Sequence, residues 1–290
     1  MTAATLTAPS RPVAGATHAP IGRLLRSELT VVFRRPRTWI ALALLAIVPV
    51  VIAIGTEIGR GPRANGNSGG PDIISNLVDN GFVLPVVALT ITLAVLLPLV
   101  GAMWSADALA GESSNGTLRA LLMAPVGRVR LLVVKSFGVA VAVLTACVLI
   151  SAVGMITGLI VIGSHGMITL SGTTLSFGAA LGRVAIATGW VAVQIWAVCA
   201  VALAVSATTD HPMVVMAATL AGEIVFGVLS SIPSLDWLQP YLLTNSWASL
   251  TDVLRDPMPT SGLVHGILEA ACYGVIGWSL ALARVITKDG

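Results

Sequence analysis

The stretch SFGVAVAVLTACVLISAVGMITGLIVI, residues 136–162, contains no Asp, Glu, Lys or Arg. About 20 apolar residues are enough for an α-helix to cross the roughly 30 Å hydrocarbon core of a bilayer. Because the run is longer than that and apolar throughout, it predicts a transmembrane helix. This prediction decides the fold class, since such a helix needs a membrane around it.

The composition of the whole chain also indicates a membrane protein. Of its 290 residues, 56% are hydrophobic and 10% are charged, whereas about a quarter of the residues in soluble domains are charged. So few charges cannot cover a soluble body of this size, and the same numbers exclude a disordered chain. Three cysteines are too few for a disulfide scaffold. We expect an all-α integral membrane protein without a nucleic-acid partner, because no soluble fold with a clustered basic face is available.

Six apolar stretches predict six transmembrane helices within a single membrane domain, residues 39–283. Each stretch has about the length that a bilayer requires, and charged residues are rare inside them. The predicted spans are residues 39–58, 82–106, 136–162, 183–207, 213–232 and 263–283.

The basic residues predict the orientation of these spans. Six spans place both termini on one side, together with the connection between the second and third spans. That side carries six Arg before the first span, four basic residues in the connection and two at the C-terminus, whereas the other side carries four. Basic loops stay in the cytoplasm, so both termini are expected there. The Arg-heavy, Ala-, Gly- and Val-rich composition is typical of a bacterial genome, which indicates a bacterial plasma membrane.

Both ends of the chain lie outside the predicted membrane domain. Residues 1–20 are rich in Ala, Thr and Pro and predict a disordered cytoplasmic tail. Residues 284–290 form a short second tail. Between the first tail and the first span, residues 21–38 repeat apolar positions at helical spacing, with arginines between them, which predicts an amphipathic helix on the membrane surface. Its apolar positions are Ile21, Leu24, Leu25, Leu29, Val32 and Phe33.

The connection between the second and third spans contains a short predicted helix. Leu118, Leu121 and Leu122 form an apolar stripe at i, i+3 and i+4. Thr117 is a suitable N-cap, and Pro125 ends the helix. An exposed leucine stripe needs a partner surface, and its own protein, the membrane and another protein are equally good candidates. After Pro125, basic residues are expected to anchor the entry to the third span among the lipid headgroups: Arg128, Arg130 and Lys135.

The same connection resembles the membrane subunits of ABC-2-type transporters, within their drug, antibiotic and natural-product export branch. The six spans, the amphipathic helix and the cytoplasmic termini extend the resemblance over nearly the whole chain. Matching positions in the connection are Asp107, Ala110, Glu112, Gly116, Thr117, Leu118, Arg119, Leu121, Leu122, Pro125, Val126, Arg128 and Lys135.

The resemblance implies a half-permease that pairs with a second permease subunit, identical or paralogous. It implies a separate cytoplasmic ATPase in two copies, which binds ATP and Mg, and export of an amphiphilic or hydrophobic compound, as in antibiotic efflux. The helix of residues 116–123 would be the coupling helix seated in that ATPase, and residues 21–38 would be the connecting helix. The implied coupling residues are Glu112, Gly116, Thr117, Leu118, Arg119, Leu121, Leu122, Pro125 and Arg128.

The sequence offers no catalytic, cofactor-binding or metal-binding motif, so we do not expect an enzyme. A P-loop requires G-x-x-x-x-G-K-[ST], but the Lys135-Ser136 pair follows Val133-Val134 instead of glycine. ATP hydrolysis is therefore expected in another chain. An intramembrane enzyme is a further hypothesis, but no span contains a serine–histidine or paired-aspartate arrangement.

Two carboxylates lie inside predicted spans, and two interpretations of each remain open. Glu223 and Glu269 either line a substrate or proton pathway, or fix helix packing as neutral, hydrogen-bonded groups. An alternative function follows from the first interpretation, namely an autonomous proton-coupled transporter that uses Glu223.

Two further features of the last spans have two interpretations each. Ala218 and Gly222, four residues apart, allow close helix approach within the subunit or, as the resemblance implies, at a dimer face. Residues 233–262 either re-enter the membrane or form an interfacial loop.

Overall fold

A computed structural model describes residues 20–59, 80–114, 127–163 and 167–287 of the chain. Over these ranges the chain is almost entirely helical, apart from one small antiparallel hairpin. The helices and strands are α1 Ile21–Arg34, α2 Pro36–Gly59, α3 Leu84–Ala94, α4 Leu96–Ala108, α5 Ala110–Ser114, α6 Arg128–Val161, β1 Met167–Ile168, β2 Thr174–Leu175, α7 Phe177–Thr208, α8 Pro212–Ser230, α9 Leu243–Ser246 and α10 Ser261–Thr287.

The helices agree with the expected membrane class. In the described ranges, five helices are long and apolar enough to cross a membrane, namely α2, α6, α7, α8 and α10. The consecutive helices α3 and α4 make a sixth span if the bent pair is counted as one. Helices cross bilayers because they satisfy their own backbone hydrogen bonds. The prediction of an all-α membrane protein is therefore confirmed.

The second predicted span, residues 82–106, is broken rather than straight. Helices α3 and α4 meet at Val95 with a bend of 57°. Pro98 explains the break, because a proline has no N–H to donate to the carbonyl four residues earlier and its ring collides with that carbonyl. The carbonyl concerned belongs to Ala94, the last residue of α3. The predicted second span therefore corresponds to a bent pair of helices, and Pro98 is the sequence signal for the bend.

Helix α7 forms the centre of the fold and is held to α10 by polar side chains. Trp190 Nε1 donates to the carbonyl of Leu263 at 2.9 Å, and Gln194 Nε2 donates to the carbonyl of Gly266 at 2.9 Å. Both donors are buried. Buried polar groups that find partners cost little and fix the position of one helix on the next.

Two sets of hydrogen bonds define the two ends of the helical body. At one end, Arg128 at the start of α6 donates to the carbonyl of Ile286 near the end of α10, at 2.6 Å. At the other end, Arg183 of α7 forms an ion pair of 3.3 Å with Asp256. Helix α1 packs beside the first turns of α6, so α1 and the C-terminal end of α10 lie at the same end.

Residues 233–254 fold back onto the helical body at the end that holds Arg183. They form the 3-10 turns Pro233–Leu235 and Gln239–Tyr241, then α9 and a longer 3-10 helix, Trp247–Leu254. The side chains of Leu250 and Val253 are fully buried. The later half of this segment is therefore part of the core, whereas the earlier half is largely exposed.

Gly277 allows the closest approach of α10 to α7 and provides a test of this packing. A Cβ atom at residue 277 would lie 2.6 Å from backbone atoms of Ala200 and Val201. We expect Gly277→Ala to destabilise the chain by about 1–3 kcal/mol, because two backbones must separate. Gly274→Ala is the matched control, since a Cβ there meets nothing within 4 Å. Thermal unfolding in detergent measures both, and equal Tm values for the two variants would contradict the packing.

Candidate functional site

Glu28 on α1 is a buried carboxylate in an otherwise apolar helix face. It follows Leu24 by one turn and precedes Val32 by one turn, so the helix directs all three toward the same neighbour. Glu28 is only 9% exposed. Gly138 on α6 provides the space, because a Cβ atom there would lie 2.9 Å from Glu28 Cγ.

The partner of Glu28 is Lys135, one turn before Gly138 on α6. The ammonium Nζ lies 3.0 Å from Glu28 Oε1 and 2.9 Å from Glu28 Oε2. Lys135 also forms an ion pair with Oε1 of Glu112 on α5. All three side chains are buried. We call Glu28, Glu112 and Lys135 the ion cluster; it joins α1, α5 and α6 at one point.

The charges of the ion cluster do not balance when all three groups are ionised. Two carboxylates share one ammonium, and burial penalises the extra negative charge. Burial raises the pKa of Glu112 above its ordinary value. Lys135 opposes this rise through its charge and its hydrogen bond, whereas the carboxylate of Glu28 adds to it, and Arg35 opposes it. Glu112 lies outside the candidate membrane spans.

A second set of charges lies next to the ion cluster. Asp107 at the end of α4 forms ion pairs of 3.5 Å with Arg35 and with Arg37, at the junction of α1 and α2. These residues and Gly111 line a cavity of about 260 Å³. The connection between α1 and α2 is therefore held to the segment that ends in α5.

The predicted coupling residues fall partly outside the described residues. Glu112 and Arg128 are described, whereas the others lie outside: Gly116, Thr117, Leu118, Arg119, Leu121, Leu122 and Pro125. Glu112 belongs to the ion cluster, two residues before the end of α5. Arg128 donates to the carbonyls of Val285 and Ile286, where a cation favourably meets the C-terminal end of a helix.

Two members of the ion cluster were missed or misinterpreted in the sequence. The prediction that Lys135 anchors the third span among the headgroups is wrong, because its side chain is 5% exposed and paired with two carboxylates. Glu28 was not singled out at all. Its signal was a single carboxylate in the apolar face of an amphipathic helix, a position that requires a buried partner.

The two intramembrane carboxylates have different surroundings. Glu269 pairs with His265 on the same helix, with Oε1 at 2.9 Å from Nε2. Glu223 lies on α8 against a cavity of about 110 Å³ between α7, α8, α9 and α10. Both of its carboxylate oxygens are buried, and neither has a hydrogen-bond partner among the described residues. The structure thus gives Glu269 a partner on its own helix and leaves Glu223 facing a cavity.

The small residues predicted for close helix packing lie on the same cavity. Ala218 and Gly222 line it together with Glu223, one helical turn apart from each other. Both are exposed, and a Cβ atom at Gly222 would meet nothing within 4 Å. The structure therefore brings together two features that the sequence presented separately, and it places no other helix of the described chain tightly against Gly222.

Comparison with known families assigns the class of the protein. The family model described as ABC-2 family transporter protein matches residues 23–255, a region that includes most of α1, the ion cluster and the first five apolar stretches. The chain belongs to the ABC-2 transporter family and is a multi-pass membrane permease component. No curated protein matches the chain.

The raised pKa of Glu112 predicts a pH dependence of stability. Above the ordinary value of 4.5, the folded chain keeps a proton that the unfolded chain has lost, so stability falls as pH rises toward the folded pKa. Glu112→Gln carries a neutral side chain at every pH. We expect the Tm of this variant, relative to the parent chain, to increase as pH rises above 4.5. Thermal unfolding at a series of pH values tests this, and a relative Tm that decreases with pH would contradict it.

Proposed function

We propose that this chain is the membrane subunit of an ATP-driven exporter in a bacterial plasma membrane. The observation that carries the proposal is the ABC-2 family match over residues 23–255. ATP and Mg would be bound and hydrolysed by a separate cytoplasmic ATPase in two copies. The membrane subunit itself would bind the transported compound and change its helix arrangement.

The ion cluster supports a path by which the ATPase acts on the spans. The predicted coupling helix, residues 116–123, directly follows α5, and α5 is tied to α6 through Glu112 and Lys135. Helix α6 has 34 residues, about 50 Å at 1.5 Å per residue. A displacement of the coupling helix would therefore reach the opposite end of the molecule through one continuous helix.

Glu28 extends the same path to the N-terminal helix. Helix α1 is held to α6 by the hydrogen bonds between Glu28 and Lys135. Its exposed apolar residues, which include Ile21 and Val31, suit a helix that lies on the cytoplasmic membrane surface. Connecting helix, coupling helix and third span would then move as one body when the ATPase binds ATP.

We also propose that α8 contacts a second permease subunit, identical or paralogous. Val215 is the one residue of α8 with a buried side chain, so the helix offers most of its surface to lipid or to a partner. Ala218 and Gly222 on this surface allow two backbones to approach closely. Such a dimer would carry the two ATPases side by side.

The transported compound would be amphiphilic or hydrophobic, such as a drug, antibiotic, lipid or natural product. The spans are almost uncharged, so they provide an apolar surface for such a molecule. Family membership favours ATP as the energy source over the alternative of an autonomous proton-coupled transporter using Glu223.

The leucine stripe of the coupling helix provides the test of this function. We expect replacement of Leu118, Leu121 and Leu122 by Asp to abolish co-purification of an ATPase and the associated ATP hydrolysis, because the apolar contact is removed. Leu170→Asp is the control, at an exposed position near Arg183 at the opposite end. Purification in mild detergent, peptide mass spectrometry and an ATPase assay give the result. An ATPase that stays bound to the triple variant, or a parent chain that purifies alone, would contradict the proposal.

A further inference from the structure

The cavity beside Glu223 contains several buried polar atoms without partners. Besides the two oxygens of Glu223, Oγ1 of Thr244 and Nε1 of Trp247 have no hydrogen-bond partner among the described residues. All three side chains line the same cavity of about 110 Å³. Buried polar atoms are usually paired, and those that are not often indicate a ligand or water that completes the site.

The aromatic side chains of the cavity favour a cation. Tyr273 and Phe226 line it beside Trp247, and the rings of Phe226 and Tyr273 meet edge to face at 6.0 Å. Aromatic faces attract ammonium groups, and the attraction increases when water is excluded. A carboxylate with two free acceptor oxygens beside three aromatic rings is therefore complementary to a protonated amine.

We propose that this cavity binds the protonated amine headgroup of an amphiphilic substrate, with Glu223 as its counter-ion. The proposal rests on the proposed function and deepens it, because it names the substrate class. Thr244 and Trp247 would donate hydrogen bonds to an acceptor atom close to the amine, such as a hydroxyl or carbonyl oxygen. Pairing with the amine would also offset the unfavourable free energy of placing the Glu223 carboxylate inside a membrane, where an unpaired charge is costly.

The size of the cavity limits what enters it. About 10–15 Å³ of such space is enough for one water molecule, so the cavity of about 110 Å³ has room for an amine headgroup and its first carbons. Ala218 and Gly222 line the cavity and are exposed, so the cavity reaches the surface of α8. The apolar body of the substrate would leave the cavity at the edge of the proposed dimer contact and lie along α8 against Val225 and other exposed apolar residues.

Other occupants fit the cavity less well. Glu223 is the one carboxylate in its lining, and the described residues contain no group of three metal-ligating side chains. A neutral glutamic acid that fixes helix packing would need a protein partner for its proton, and among the described residues no atom serves as one. An amine supplies donors to both carboxylate oxygens at once.

Two matched probes test the proposal on the full-length chain in phosphatidylcholine nanodiscs. They are 1-pyrenemethylamine, which is protonated at neutral pH, and 1-pyrenemethanol, which has the same apolar body without the charge. We expect the amine to bind saturably, at least about tenfold more tightly than the alcohol, because a charge-assisted hydrogen bond is lost with the alcohol. Pyrene fluorescence, corrected with empty nanodiscs, gives the Kd of each probe.

Two variants locate the site. Glu223→Gln keeps the shape of the side chain and is expected to raise the Kd of the amine at least about tenfold. Glu269→Gln, at the carboxylate already paired with His265, is the control and leaves the Kd within twofold. Equal binding of the two probes to the parent chain, or an unchanged amine Kd in Glu223→Gln, would overturn the proposal. If a variant does not fold, the comparison of the two probes on the parent chain is sufficient to test the proposal.

This experiment is independent of the ATPase. If the chain binds an ATPase but shows no preference for the amine, the proposed exporter function stands and the proposed substrate class is wrong. A chain that prefers the amine but never binds an ATPase would keep the cavity and remove the exporter proposal.

Discussion

One buried ammonium group holds together the parts of this protein that face the cytoplasmic side in our proposal. Lys135 Nζ contacts the carboxylates of both Glu28 on α1 and Glu112 on α5. Removing one partner from a buried ion pair costs about 3–5 kcal/mol, because the remaining charge stays buried. The ion cluster therefore keeps the three helices together mainly because separating them would leave a buried charge unpaired, and less because forming the pair lowers the free energy of folding.

Charged residues are arranged differently in the proposed coupling region and in the proposed substrate cavity. Around α4 and α5, carboxylates and cations are paired, including Asp107 with Arg35 and Arg37. Beside the cavity, Glu223 is without a partner among the described residues. A paired charge fixes structure, whereas a carboxylate facing a cavity is complementary to a ligand. A carboxylate therefore stabilises the fold where neighbouring cations pair with it, and is available to a ligand where no neighbouring group does.

Much of the fold could be predicted from the sequence, because an uncharged apolar run as long as residues 136–162 is stable in a bilayer as a transmembrane helix. Pro98 also contained the signal for the bend between α3 and α4, which a count of apolar residues ignores. The ion cluster could not be assembled this way. Glu28 and Lys135 are 107 positions apart, and helical periodicity shows which face a residue occupies but not which helix it meets. The Glu223 cavity could not be predicted from the sequence for the same reason, since its polar atoms come from α8 and from residues 244–247.

The central claim is that the ion cluster transmits ATP binding from the partner ATPase to the spans. The most direct test uses Cys272, the one exposed cysteine in the described ranges. An environment-sensitive fluorophore is attached to Cys272 in the complex of this chain with its ATPase. A variant with Glu28→Gln, Glu112→Gln and Lys135→Met removes all three charges of the ion cluster together, so that no member of the cluster loses its partner while staying charged. We expect ATP to change the fluorescence of the parent complex and not that of the variant, while the ATPase stays bound to both. A fluorescence change of equal size in the variant would contradict the account.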